Sequence, residues 1–114
     1  MVAKGSTVVT RQHIFSAENC NSKLGMESER IPDESITASS AKSTDHAPSF
    51  ARVDGVKAWC SAPEDESPYI QIQLDEQKLI KKITTQGSSS DVSWSRKYQV
   101  KYLEKGNWKP YKEV

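Results

Sequence analysis

A chain of 114 residues is long enough for one globular domain and short for two. Its net charge of +1 gives no electrostatic argument for a nucleic acid as partner. No apolar run approaches the roughly 18 residues of a membrane-spanning helix, and the first residues lack the apolar core of a signal peptide. Secretion would therefore require a signal from outside this sequence.

Residues 1–19 show no hydrophobic period. Val8, Val9, Ile14 and Phe15 could form a short strand, but the surrounding sequence is polar. We therefore predict a flexible leader over these residues.

The first regular pattern lies in residues 35–40, where Ile36 and Ala38 alternate with polar residues and predict a short strand. Residues 41–49 and 61–68 predict polar surface loops, and residues 50–54 between them could form a strand or a single turn. They surround Trp59, which we expect to anchor the core.

Residues 69–87 are the part of the chain richest in β-forming apolar side chains. The first half alternates strictly and predicts a strand with one buried face. After a polar turn, the second half predicts a partner strand, although its apolar spacing is irregular. The apolar residues of this predicted central hairpin are Ile70, Ile72, Leu74, Leu79, Ile80 and Ile83.

The C-terminal part begins with a polar loop at residues 88–95 and continues with an alternating strand at 96–103. A turn containing Gly106 leads to a return strand that starts at Trp108, which we also expect in the core. Short strands joined by turns, with no convincing amphipathic helix, predict an all-β antiparallel sandwich or barrel.

The sequence does not indicate an enzyme. His13 and His46 are the two histidines, and neither belongs to a metal-binding or nucleophile motif. No cofactor is predicted. Asp45, Asp54 and the acidic run at residues 64–66 could bind Ca²⁺ weakly, but they lack the ligand spacing of a calcium loop, so solvation is the favoured role.

Seven segments stand in the order found in a known extracellular family. The chain resembles a discoidin domain, the C-domain type named from coagulation factors V and VIII. Each segment alone is a weak signal, but seven in register are specific. The segments are LGMESERIPDESITASS (24–40), Ala51-Arg52, AWCS (58–61), YIQIQLDE (69–76), ITTQG (83–87), W-x-x-K-Y-x-V-x-Y (94–102) and GNWKPY (106–111).

The resemblance implies an antiparallel jelly-roll β-sandwich of the galactose-binding-like class over residues 20–114, with protruding loops at one end. It also implies a non-catalytic adhesion or recognition module, extracellular or on the cell surface. The family's domain continues beyond the hairpin that contains Trp108, so we expect this domain to be incomplete and to lack its closing strands. Cys20 and Cys60 resemble family cysteines whose disulfide partners lie in that further part, and we predict that they do not pair with each other.

By the same resemblance, ligands would bind at two loops. The candidate binding residues are Lys42, Ser43, Thr44, Asp45, His46, Ser89, Ser90, Asp91 and Trp94. The first loop lacks the large apolar residue that lipid-binding relatives insert, and Lys42 stands where collagen-binding relatives have a Trp. Lipid insertion and collagen binding are therefore disfavoured, which leaves an extracellular protein or a glycan as partner.

Structural interpretations compete with these functional ones. Solvation is the competing explanation for each polar loop residue. For Trp94, packing at the root of its loop is favoured over an exposed stacking surface. Arg52 is expected to form structural ion pairs or backbone hydrogen bonds. Lys78, Lys81 and Lys82 fit a solvated strand face better than an anionic glycan site.

Two other functions stay open from the sequence. The chain could be a carbohydrate-binding module attached to a secreted enzyme. It could also be a non-binding remnant of a larger protein that does not fold alone.

Overall fold

A computed structural model describes residues 7–11, 22–89 and 92–112, and their strands form a five-stranded sheet. The strands pair in the order β2-β3-β1-β4-β5. Short 3-10 turns are the helical elements of these residues, so the predicted all-β class is confirmed. The strands are β1 (Thr7–Arg11), β2 (Ile36–Ala38), β3 (Tyr69–Ile72), β4 (Val100–Glu104) and β5 (Asn107–Pro110), and the turns are Asp33–Ser35, Thr44–His46 and Pro48–Phe50.

β1 lies at the centre of the sheet, and its pairing differs from the predicted antiparallel arrangement. It pairs in parallel with both neighbours, with Val8 beside Ile70 on β3 and beside Val100 on β4. The sheet is therefore mixed, and only the β2–β3 and β4–β5 pairs are antiparallel as predicted. The strand at Thr7–Arg11 includes Val8 and Val9, where the sequence allowed a short strand, and four of its five residues are β-branched and suit a pleated strand. The flexible leader over residues 1–19 stays a prediction. The rest of the predicted leader, and Cys20, lie outside the described residues.

The core is built on β2 and β3, as the alternation predicted. Ile36 of β2 and Ile70 and Ile72 of β3 are buried, while Gln71 is only half-buried between them. Trp59, 1% exposed, packs into the same cluster. Each such side chain contributes roughly 1.5–3 kcal/mol by burial before chain entropy is subtracted. The buried cluster consists of Ile31, Ile36, Ala51, Trp59, Ile70, Ile72 and Leu74.

The predicted partner strand after β3 is not formed. Residues 79–87 contain no strand, and Ile80 packs against the core from an irregular segment. Both edges of β3 are already paired, one with β2 and one with β1, so no further strand can join it. The prediction of a central hairpin over residues 69–87 is therefore wrong in its second half.

The β4–β5 hairpin forms where the sequence predicted it. Lys105 and Gly106 both have positive φ, at +49° and +79°, which is the geometry of a tight turn between twisted antiparallel strands. Trp108 of β5 is 45% exposed, so the prediction that it lies in the core is wrong. The reason is its position, because β5 is the last strand of the sheet and all four of its residues are exposed.

Arg52 has the structural role that the sequence predicted. Its buried guanidinium donates to the carbonyl oxygens of Met26 (2.6 Å) and Ile31 (2.8 Å). Nη2 also pairs with Oδ1 of Asp33 at 2.6 Å. One side chain thus joins three positions of the polar segment before β2 to the core.

Strand directions place several loops at one end of the sheet. β3, β1 and β4 run parallel, and β2 runs antiparallel to β3. The chain therefore leaves β2 at the same end at which it enters β3 and β4. We call this the loop end.

Candidate functional site: the loop end of the sheet

The first loop, residues 41–48, is held against the segment that contains Trp59. The backbone N–H of Lys42 donates to the carbonyl of Cys60 at 2.7 Å, and the N–H of Cys60 donates to the carbonyl of His46 at 3.3 Å. Within the loop, Oγ of Ser43 lies 2.8 Å from Nδ1 of His46. These bonds fix the backbone of a loop whose side chains at residues 41–45 are exposed.

The second loop, residues 53–57, is joined to the first by an ion pair. Nζ of Lys57 lies 2.8 Å from Oδ1 of Asp45, and this hydrogen bond holds the pKa of Asp45 below its ordinary value. The same ammonium group sits 4.9 Å from the centre of the Phe50 ring, within cation–π range. Lys57 is a member of this site that the sequence analysis missed. It lies 12 positions from Asp45, and no local pattern relates the two residues.

The third loop, residues 86–94, is joined to the second. The backbone N–H of Asp54 donates to Oε1 of Gln86 at 2.7 Å. Within the third loop, the N–H of Ser88 donates to the carbonyl of Ser93 at 2.7 Å and closes its base. A Cβ on Gly87 would lie 3.1 Å from that same carbonyl oxygen, so this close approach favours glycine. Ser90 and Asp91, two of the candidate binding residues, lie outside the described residues.

Apolar side chains project from the second and third loops. Trp94 is 60% exposed, which corrects the prediction that it packs at the root of its loop. The backbone bridge between Ser88 and Ser93 closes the root instead and leaves the indole outside. Val92 is 79% exposed and Val56 is 87% exposed. The sequence analysis missed both valines, although an apolar residue within a polar loop was a visible signal.

The candidate residues thus fall into two groups joined by one bridge. Lys42, Ser43, Thr44, Asp45 and His46 share the first loop, and Ser89 and Trp94 share the third. The second loop connects them through the Asp45–Lys57 and Asp54–Gln86 contacts. The assembly offers hydroxyl, imidazole and ammonium groups for hydrogen bonding, together with an exposed indole. These are the groups with which proteins bind polar and glycan ligands.

Asp65, in the acidic loop beside β3, is bound to its own protein. Oδ2 accepts hydrogen bonds from the hydroxyls of Ser39 (2.6 Å) and Ser40 (2.5 Å). Oδ1 accepts from the backbone N–H of Ser67 at 3.1 Å. The two serine hydroxyls lower the pKa of this carboxyl group. Asp65 therefore ties the acidic loop to the end of β2.

Within residues 7–11, 22–89 and 92–112, no three His, Cys, Asp or Glu side chains gather as a metal site would require. Cys60 carries a free, half-buried thiol, and its disulfide assignment stays a prediction. No helix in the described part of the chain is long and apolar enough to cross a bilayer.

Comparison with known proteins gives one family. The family model described as the F5/8 type C domain matches residues 35–114. Coagulation factor V of Mus musculus is 36% identical over 104 residues, which cover 82% of the chain. Epithelial discoidin domain-containing receptor 1 of Homo sapiens is 34% identical over 110 residues and 87% of the chain. Contactin-associated protein 1 of Homo sapiens is 35% identical over 78 residues and 68% of the chain.

The matched region is a small part of each relative. It corresponds to 5% of coagulation factor V, 12% of the receptor and 6% of contactin-associated protein 1. No solved structure matches the chain.

Proposed function

This chain belongs to the F5/8 type C domain family, the discoidin domains, and we propose that it is an extracellular recognition module that binds a protein or glycan at its loop end. Discoidin domains are binding modules without catalytic activity. Relatives named as a coagulation factor and as an epithelial receptor support an extracellular setting.

The observation that carries the proposal is the coupling of three loops, one of which bears an exposed tryptophan. The Asp45–Lys57 ion pair and the Asp54–Gln86 hydrogen bond link the loops to one another. Loops that are ordered before binding lose less conformational entropy when a ligand arrives. Trp94 adds a large flat surface that can stack on a sugar ring or fill a protein pocket.

The composition of the first loop favours a protein or glycan over a lipid surface. The first loop presents Lys42, Asp45 and other polar side chains and no large apolar group, so its insertion into a bilayer would bury little apolar area. That argument applies to the first loop alone, because Val56, Val92 and Trp94 are exposed on the other two. Lipid vesicles therefore belong in the test.

The experiment screens the folded chain against a glycan array, a panel of matrix proteins, and vesicles of phosphatidylserine and phosphatidylcholine. Each hit is then titrated with Trp94→Ala and with Trp108→Ala. The second variant is a matched control, because it removes an exposed indole from a different surface. Amide-proton dispersion in NMR spectra verifies that both variants fold.

We expect a protein or glycan hit whose affinity falls about tenfold or more in Trp94→Ala, as for a central aromatic contact in an interface. Trp108→Ala should leave that affinity within about twofold. A chain that binds only vesicles would contradict the proposed ligand class. If Trp94→Ala weakens none of the protein or unsulfated-glycan hits, the proposed location is contradicted.

A further inference from the structure

The net charge of +1 conceals a separation of charge along the chain. Residues 1–77 carry seven Lys and Arg against twelve Asp and Glu, a net charge of −5. Residues 78–114 carry nine against three, a net charge of +6. The β4–β5 hairpin belongs to the positive part and forms one edge of the sheet. Residues 100–112, which form this edge, carry four lysines against one glutamate, so the edge is basic although the net charge of the chain is close to zero.

One face of this hairpin combines lysines with a tryptophan. Side chains of directly paired antiparallel residues share a face, and successive residues alternate. Leu103 pairs with Trp108, and Lys101 pairs with Pro110. Tyr111 continues the pairing through its N–H to the carbonyl of Val100 at 2.7 Å, which puts Lys112 next on the same face by alternation. We call this the basic face, defined by Lys101, Leu103, Trp108, Pro110 and Lys112.

The opposite face of the hairpin holds the acidic residue. Glu104 is the single Asp or Glu within residues 92–112, and Lys109 pairs with it at 2.7 Å. The hydrogen bond between Lys109 and Glu104 lowers the pKa of Glu104 and raises the pKa of Lys109. The basic face thus keeps its positive charge, and Lys105 adds another at the turn. Among the described residues, Lys101, Lys105 and Lys112 have no ion-pair partner.

We propose that the basic face of the β4–β5 hairpin is a second binding site, separate from the loop end, for a sulfated polysaccharide. Lys101, Lys105 and Lys112 would pair with sulfate or carboxylate groups along the sugar chain. Trp108 would stack its exposed ring on a sugar between them.

Two features favour a sulfated sugar chain over other anions. The positive charges are spread along the hairpin, from the turn at Lys105 to Lys112 beyond the far end of β5. At roughly 3.3 Å per residue, the five residues of β4 alone span about 16 Å. A linear polyanion can contact charges spread over such a distance, whereas a single small anion cannot. The tryptophan provides a flat apolar surface that suits the face of a sugar ring.

The test measures binding of a heparin-derived octasaccharide to the folded chain by titration calorimetry at several salt concentrations. The first variant is the triple substitution Lys101→Ala, Lys105→Ala and Lys112→Ala. Its matched control is Lys78→Ala, Lys81→Ala and Lys82→Ala, which removes the same charge from the other basic cluster. Trp108→Ala tests the aromatic contact, and Trp94→Ala is its control. The fully desulfated octasaccharide and an oligodeoxynucleotide of equal charge serve as comparison ligands.

We expect the hairpin triple variant to lose about tenfold or more in affinity, since each lysine beside an anionic surface contributes appreciably. The slope of log affinity against log salt should fall by about 2, as when three cations leave a linear polyanion. The control triple should change affinity less than about threefold, Trp108→Ala should weaken binding, and Trp94→Ala should not. The desulfated sugar should fail to bind.

Three results would overturn the proposal. Equal losses in the two triple variants would mean that binding follows net charge and not the hairpin. An unchanged affinity in Trp108→Ala would remove the sugar contact. Equally tight binding of the oligodeoxynucleotide would show a general attraction for polyanions. None of these results bears on the loop end, so the two proposals can fail separately.

Discussion

The two antiparallel pairs of the sheet carry the same sequence pattern and have different environments. In β3, Ile70 and Ile72 alternate with Gln71, and the isoleucines are buried. Apolar and polar residues also alternate along β5 and along β4 as far as Tyr102, yet every residue of β4 is half-buried and every residue of β5 is exposed. Alternation therefore predicts where strands form, but not how deeply they are buried.

The two pairs differ in burial because residues from distant parts of the chain pack on one of them and not on the other. Ile31, Ala51 and Trp59 come from loops and turns and pack on the β2–β3 pair. The β4–β5 hairpin lies at the other side of β1, outside that buried cluster. The first pair thus supplies stability. The hairpin, together with the loop end, supplies the exposed aromatic and charged groups that a ligand can reach.

The largest expected difference in stability between the two regions is that between the variants Trp59→Ala and Trp108→Ala. Trp59→Ala removes a fully buried side chain and should lower the free energy of unfolding by about 3–5 kcal/mol. Trp108→Ala acts at a half-exposed edge position and should cost about 1 kcal/mol or less. Urea unfolding followed by circular dichroism measures both values. Equal losses in the two variants would contradict the division between scaffold and binding surface.

A smaller loss is expected at Arg52, the polar group of the buried region. Arg52→Met keeps the apolar stem but removes the hydrogen bonds to Met26, Ile31 and Asp33, which should cost about 2–3 kcal/mol. Lys57→Met is the control, because it breaks a solvent-exposed ion pair and should cost less than the buried hydrogen bonds of Arg52. The same urea titration ranks the two variants. If Lys57→Met proved the more destabilising, the structural role of Arg52 would be wrong.

The smallest expected effect concerns pH and Asp65. Its pKa is lowered in the folded chain from 3.8 by the hydroxyls of Ser39 and Ser40. A lowered folded pKa stabilises the fold above the unfolded pKa, and this contribution is lost as pH falls through the folded value. Asp65→Asn should therefore be less stable than the parent chain at pH 7. The difference in the free energy of unfolding between Asp65→Asn and the parent chain should narrow below pH 3.8.

Thermal unfolding at a series of pH values measures that gap. Glu64→Gln is the control, since it neutralises an exposed carboxyl group of the same loop. A gap between Asp65→Asn and the parent chain that stays constant down to the lowest pH would argue against the proposed hydrogen-bond contribution.

The sequence predicted what depends on neighbouring residues. The alternation at Ile36, at Ile70 and Ile72, and at Val100 located three strands, and Gly106 located a turn. The ordered segments also identified the family, which the match to residues 35–114 confirms. Strands and turns depend on a few consecutive residues, so a short sequence pattern is enough to predict them.

What the sequence did not predict depends on distant residues. Trp59 is buried while Trp94 and Trp108 are exposed, and the three differ in what the rest of the chain places over them. The contacts that join the loops, Asp45 with Lys57 and Asp54 with Gln86, cross 12 and 32 positions. The place of β1 is of the same kind: the sequence allowed a short strand at Val8 and Val9, but nothing local to them shows that it lies between β3 and β4.

If recognition occurs at two separate exposed surfaces around a non-binding core, each surface should depend on its own tryptophan. Binding of Trp94→Ala and of Trp108→Ala is measured with two ligands, the hit from the loop-end screen and the heparin-derived octasaccharide. We expect a crossover, in which Trp94→Ala weakens only the first ligand and Trp108→Ala weakens only the second. Affinities for both ligands that neither substitution changes would contradict it.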